Sequence, residues 1–242
     1  MNICIYDSEE QISRASAALI AAEVLSKPDC VLGLATGSTA LTPYRSLIKM
    51  YGEKAVSFSS VTTFNLDEYC NLDIRDRNSY HSFMHDNLFQ HIDIKEENTH
   101  FLDGNASDIG RECRDYEEKI KKAGGIDIQL LGIGSNGHIA FNEPDSHFPA
   151  ISHQVALKES TIKDNARFFN TIEEVPTHAL TMGIGSIMKA RKILIIATGE
   201  NKAEAVRAMV NGEVTPQCPA SILRFHSHVT VMCDTAAAKY IK

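Results

Sequence analysis

No apolar run in this chain is long enough to cross a bilayer. The longest are of the kind KILIIA at 192–197, far short of the roughly 20 residues a spanning helix needs, so no membrane partner is expected. A basic block is missing as well. Lys and Arg number 24 against 31 Asp and Glu, a formal charge of −7. Nucleic acid, whose phosphates demand concentrated positive charge, is therefore not an expected partner, and any anion would need a local binding device. The six cysteines (Cys4, Cys30, Cys70, Cys113, Cys218, Cys233) form no C-x-x-C, and several lie inside apolar runs. They read as buried, reduced thiols of a cytosolic protein, with no zinc cluster and no metal site. The first residues, MNICIYDSEE, lack a basic segment and begin directly as a strand, so no signal peptide is expected and the cytoplasm is the expected location. No repeat, low-complexity tract or linker divides the 242 residues, of which 43% are hydrophobic and 23% charged. One domain spanning 1–242 is the expected organisation.

What is present is an alternation. Strand candidates are NICIY (2–6), CVLGLA (30–35), VTTFNL (61–66), IDIQLLGI (126–133), KILIIAT (192–198) and HVTVMC (228–233). Helical patterns lie between most of them. One is SEEQISRASAALIAAEVL, capped by Ser8; another is TPYRSLIKMYG, with Thr42 as cap, Pro43 at the first helical position and Gly52 as stop. Further helices are expected over NSYHSFMHDNLFQHI, ASDIGRECRDYEEKIKKAGG, HALTMGIGSIMKA and NKAEAVRAMVNG. Strands apolar on both faces and separated by helices predict an α/β fold: a modified Rossmann-like, mostly parallel sheet with helices on both faces. Ligands of such sheets bind beyond the carboxyl ends of the strands.

Four loops follow strands there. After CVLGLA comes TGST, where Gly37 permits a tight turn, Ser38 and Thr39 offer hydroxyls, and a helix N-terminus presents free N–H groups, a setting for phosphate. The same residues would also make an ordinary strand–helix turn. After VTTFNL come Asp67 and Glu68; neighbours on extended chain point opposite ways, so at most one faces a pocket. The third loop, GIGSNGHIAFNEP, contains G-x-G-x-x-G (Gly132, Gly134, Gly137). A dinucleotide fingerprint needs a helix from its last glycine, whereas Pro144 and Pro149 come soon after it here, so no nucleotide cofactor is expected. The glycines instead let backbone pass close to a small ligand, with His138 and Glu143 as acid–base candidates. After KILIIAT, Lys202 lies near a helix N-terminus, where a cation is explained either by a bound anion or by solvent. Arg167 in NARFFN is a second cation to consider.

Together LGLATGST, TFNLDEY, NSYHSFM, GIGSNGHIAFNEP, NARFF and NKAEAV resemble the glucosamine-6-phosphate deaminase family. They keep the family's order from about residue 30 to 235. The resemblance implies a cofactor-free hydrolase of amino-sugar catabolism that converts glucosamine 6-phosphate and water to fructose 6-phosphate and ammonia. By the resemblance, Asp67 is the acid that moves a proton from C2 to C1, His138 opens the pyranose ring, and Glu143 is its partner. Gly37, Ser38 and Thr39 form the phosphate loop, with Arg167 and Lys202 as phosphate cations. A related lactonase or isomerase and a non-catalytic sugar-phosphate sensor are the alternatives. The LDEY and GHIAFNEP pair argues against the first. The presence of Asp67 and His138, without a basic segment, argues against the second.

Two departures from the family pattern matter. Asn136 stands where well-studied members have Asp; an amide can orient the His but brings no charge. Allosteric members are hexamers activated by N-acetylglucosamine 6-phosphate, with Arg and Lys after the FNEP loop, where this chain reads SHQVALK with His153 and Val155. A monomer or small homo-oligomer is therefore expected.

Overall fold

The computed structural model describes residues 1–166 and 169–241, except the side chains of 160, 164 and 165. Seven strands form one sheet in the order β1 (Asn2–Tyr6), β10 (Val229–Asp234), β9 (Lys192–Ala197), β6 (Ile128–Gly132), β2 (Val31–Leu34), β3 (Thr62–Asn65) and β5 (Thr99–His100). Every pairing in it is parallel. The central strands are buried residue after residue, as in Val31–Leu34 and Ile193–Ala197. Both faces are therefore covered, which is why these segments read as unbroken apolar runs. The covering helices include α1 (Glu9–Ser26), α2 (Ser38–Gly52), α4 (Ile109–Lys122) and α7 (Ala203–Asn211). Ser8 caps α1, accepting from the Gln11 N–H at 3.3 Å.

From β2 the chain winds outward through β3 to β5, and from β6 it winds the other way through β9 to β10. The strand order thus reverses between β2 and β6, which are neighbours. A crevice at such a reversal is where open α/β sheets bind ligands. The strands on either side of it, in the order β9, β6, β2, β3, are the four whose carboxyl ends carry the loops of Lys202, His138, Gly37 and Asp67.

Apart from the short edge strand β5, which was not expected, two differences from the sequence reading bear on the site. Helix α2 starts at Ser38, four residues earlier than Thr42. Thr42 is a buried helical residue whose hydroxyl donates to Glu9 Oε1 at 3.0 Å. Pro43 is inside the helix, which forgoes one backbone bond there. The other difference is a second sheet, antiparallel, in the order β4 (Asp67–Tyr69), β8 (His178–Thr181), β7 (His153–Ala156). The stretch HALTMGIGSIMKA thus begins as strand. Its helix is only α6 (Ile184–Ile187), because Gly183 and Gly185 are wedged against the backbone of Ile151 and Ala150, where a Cβ would meet the carbonyl oxygens at 2.3 and 2.4 Å.

Candidate active site

The loop after β6 is built around an imidazole. Gly137 adopts φ +85°, a left-handed conformation that favours glycine. A Cβ on Gly134 would lie 2.3 Å from Cε1 and Nδ1 of His138, so the glycine is what allows the ring to fold back over its own loop. The Gly134 N–H donates to the His138 carbonyl at 2.9 Å, closing the turn. Beyond Gly137 the chain continues as loop with an isolated Ile139–Asn142 bridge, not as the helix a dinucleotide fingerprint requires.

Glu143, with only 8% of its side chain exposed, gathers the polar groups of this loop. His138 Nδ1 lies 3.3 Å from Glu143 Oε1, an ion-pair distance without hydrogen-bond alignment. Asn136 Nδ2 donates to Oε2 at 2.7 Å, and the Thr161 hydroxyl donates to Oε1 at 3.1 Å. Lys158 Nζ stands 3.7 Å from Oε2. Burial pushes this carboxyl up, but His138, the Asn136 amide and the Thr161 hydroxyl outweigh burial and hold it at about 2. It is therefore a carboxylate at every working pH, facing the ring that would carry the proton.

Asn136 meets Glu143 through its amide and the His138 backbone N–H through its oxygen, at 3.1 Å. Its described contacts thus reach the pair from the carboxylate side. An aspartate at this position would set a second carboxylate against Glu143, and one of the two would then tend to keep a proton. Asn136→Asp is expected to raise the Glu143 carboxyl from about 2 toward the ordinary range and to move the acid limb of the pH–rate profile. Superimposable profiles for the two proteins would show that residue 136 has no electrostatic part in the reaction.

Asp67 and Glu68 are both buried, and the structure gives them different work. Glu68 is spent on backbone: Oε1 accepts the N–H of Tyr69 at 2.8 Å and of Tyr80 at 3.0 Å, and Oε2 that of His81 at 2.9 Å. It thereby holds the start of α3 (Tyr80–Asn87), whose cap is Ser79. Asp67 is 6% exposed, and burial, then the charge of Glu68, pushes its carboxyl up to about 8. A group that gains and loses its proton near neutral pH has the acidity a general base needs.

The small sheet ties these two parts together. Asp67 pairs with Thr181 across β4 and β8. Thr181 Oγ1 accepts the Phe141 N–H at 3.1 Å, and Asn142 Nδ2 donates to the Met182 carbonyl at 2.9 Å. The strand bearing Asp67 and the loop bearing His138 and Glu143 are therefore pinned to the same end of β8. Sequence reasoning did not find Thr181 or Thr161, because nothing marks a lone polar residue in an apolar run or on a short helix, and it weighed Lys158 only as a cation for a second site.

In the loop after β2, Gly37 caps α2 with φ +92°, and Ser38 and Thr39 begin the helix, whose first turn carries no acid. That arrangement leaves a positive dipole end unopposed. Lys202 closes a short 3₁₀ turn (Glu200–Lys202) and occupies the cap position of α7, after strand β9, which β6 separates from β2. Arg167 lies outside the described residues.

Known proteins share both the sequence and this arrangement of the chain. The model of the glucosamine-6-phosphate isomerase/6-phosphogluconolactonase family matches residues 7–232. A glucosamine-6-phosphate deaminase of Clostridium botulinum (strain Alaska E43 / Type E3) is 51% identical over 241 residues, covering 100% of this chain and 97% of its own length. One from Clostridium acetobutylicum is 50% identical over 241 residues, covering 100% of both. A solved structure described as a monomeric glucosamine-6-phosphate deaminase of the NagB superfamily superposes with a TM-score of 0.96 at 46% identity, over 99% of this chain and 100% of that one.

Proposed function

The chain belongs to the family of glucosamine-6-phosphate isomerases and 6-phosphogluconolactonases, and within it we propose the deaminase reaction, glucosamine 6-phosphate and water giving fructose 6-phosphate and ammonia. The observation that carries this reading is the arrangement at β8. A base candidate poised at about 8 and a His–carboxylate pair are fastened to one strand, beside the crevice where the sheet order reverses.

Ring opening needs a proton moved at the ring oxygen, which suits His138, and Glu143 stabilises the imidazolium. Asp67 then takes the C2 proton and returns it at C1. The imine left at C2 takes up water and expels ammonia. The phosphate takes no part in the chemistry; held by the Gly37–Thr39 loop with Arg167 and Lys202, it fixes where the sugar lies. Each proton-transfer step of this kind contributes on the order of 10²–10⁴-fold.

The test is ammonia release from glucosamine 6-phosphate by the purified protein, with and without EDTA. Equal rates in both are expected. Hydrolysis of a 6-phosphogluconolactone without ammonia would move the chain to the lactonase branch, and no turnover of either would make it a sensor. Lys202→Ala and Arg167→Ala are expected to raise KM by about ten- to a hundred-fold with little change in kcat, since charge-assisted contacts to phosphate contribute roughly 1.5–3 kcal/mol. Unchanged KM in both variants would place the phosphate elsewhere.

The chain is read as a monomer or small homo-oligomer without activation by an acetylated sugar phosphate. Between 152 and 158 the sequence offers one permanent cation, Lys158, and it is turned to Glu143 and the Pro144 carbonyl. A second phosphate site built there would lack the cations to shift an equilibrium. Hyperbolic rate curves are expected. Sigmoidal curves that straighten on adding N-acetylglucosamine 6-phosphate would refute this.

A further inference from the structure

Helix α5 (Glu159–Asn165) makes contact with the carboxylate of Glu143 through its first turn. Lys158, at its cap position, approaches Oε2 at 3.7 Å, and Thr161 donates to Oε1 at 3.1 Å. The two residues are three apart and so lie on one face of the turn. Oε1 is the oxygen that faces His138 Nδ1. We propose that Thr161 and Lys158 are positioning residues for the ring-opening pair: they fix the rotation of the Glu143 carboxylate and so decide how squarely it meets His138.

Each contact acts differently. The Thr161 hydroxyl takes one lone pair of Oε1, which leaves the other for the imidazole; without it the carboxylate turns about its terminal bond, whose rotamers are broad. Lys158 competes with the imidazolium for the same negative charge. The titratable and charged groups around this carboxylate, among the described residues, are His138 in its own loop, Lys158 on α5, Asp145 beyond Lys158, and the Cys218 thiol packed against Gly137. The turn has its own anchorage: Ile162 packs against the cluster of Tyr69, Phe141, Leu157 and Ala179, and Leu157 N–H donates to the Thr177 carbonyl at 2.8 Å. The contacts to Glu143 are therefore not what holds the helix in place, and the polar groups can be removed without unfolding it.

The inference rests on the proposed deaminase reaction. The experiment measures kcat and KM for ammonia release between pH 5.5 and 9.5 in wild type, Thr161→Val, Thr161→Ser and Lys158→Met, with melting temperatures alongside. Thr161→Val is expected to lower kcat by about tenfold, with KM within about twofold, and Thr161→Ser to recover most of the loss. Lys158→Met is expected to move the pH–rate profile by a few tenths of a pH unit, a shift that shrinks in high salt because the ammonium is half exposed. Wild-type kcat in Thr161→Val, or a Thr161→Ser variant as slow as Thr161→Val, overturns the role of the hydroxyl. An unmoved profile in Lys158→Met overturns that of the ammonium. A wild-type chain that releases no ammonia overturns the reaction itself, and the inference with it.

Discussion

Asp67→Asn is expected to remove at least about 99% of turnover, the scale of a lost general base, while a sugar-phosphate analogue still binds within a few-fold. The substitution keeps the shape of the side chain and deletes only its ability to take a proton. It should also change stability in a way that a merely structural residue would not. The folded Asp67 carboxyl is pushed up to about 8 from its ordinary 3.8. Between those two values the unfolded chain has released the proton and the folded chain still holds it. Stability therefore falls as pH rises from about 4 to about 8, by about 1.4 kcal/mol per unit at the steepest. Asn carries no such proton. The variant should match wild type near pH 4 and become progressively more stable than it toward pH 8, by several kcal/mol at the top of the range. Melting curves at pH 5 and pH 8 check this. A variant that keeps more than about a tenth of wild-type rate would mean that Asp67 is not the principal base. A stability difference that does not grow with pH would mean that its carboxyl is not raised.

The second large effect belongs to His138→Gln. Glutamine reaches out with an amide that donates and accepts hydrogen bonds but cannot carry a proton between ring oxygen and solvent. The expected loss in kcat is on the order of 10²–10⁴-fold, with KM changed little because the phosphate contacts remain. The carboxylate opposite responds too. His138 is the largest of the favourable contacts holding Glu143 at about 2. Without it the carboxyl should rise, and the stability that wild type loses as pH falls from 4.5 toward 2 should be partly missing from the variant. A kcat within about tenfold of wild type would assign ring opening to another group, or to solvent.

The parallel sheet was legible in the sequence because strands buried on both faces have to be continuously apolar, and Val31–Leu34 and Ile193–Ala197 are. The loops were legible because their glycines and charges stand out after such runs. The small sheet was not. His178–Thr181 has three buried residues in a row and leads into apolar positions at helical spacing, so the pattern does not separate strand from helix. The close packing that ends it, Gly183 on the backbone of Ile151, is a contact with a segment about thirty residues away and leaves no local trace. The partition between Asp67 and Glu68 was half legible. Alternation says that the two side chains diverge, but only the approach of the Tyr80 and His81 amides from a separate helix assigns Glu68 to capping. The partner of Asn136 was hidden for the same reason: the amide reaches seven residues along the loop to Glu143.

The edge of the sheet has a consequence for how the chain is made. Among the described residues strand β1 pairs only with β10, Asn2 to Thr230 through Tyr6 to Asp234. During synthesis β1 thus emerges long before the strand it pairs with. At ordinary elongation rates it waits on the order of 10–50 s. Throughout that interval NICIY is an uncharged segment without its sheet partner, and even in the finished fold Ile3 and Ile5 stay exposed. Natural sheets usually guard such edges with lysine or proline, and this strand has neither. Until β10 arrives this segment is adhesive, and the yield of folded protein should depend on translation speed and on chaperones that bind short apolar strands.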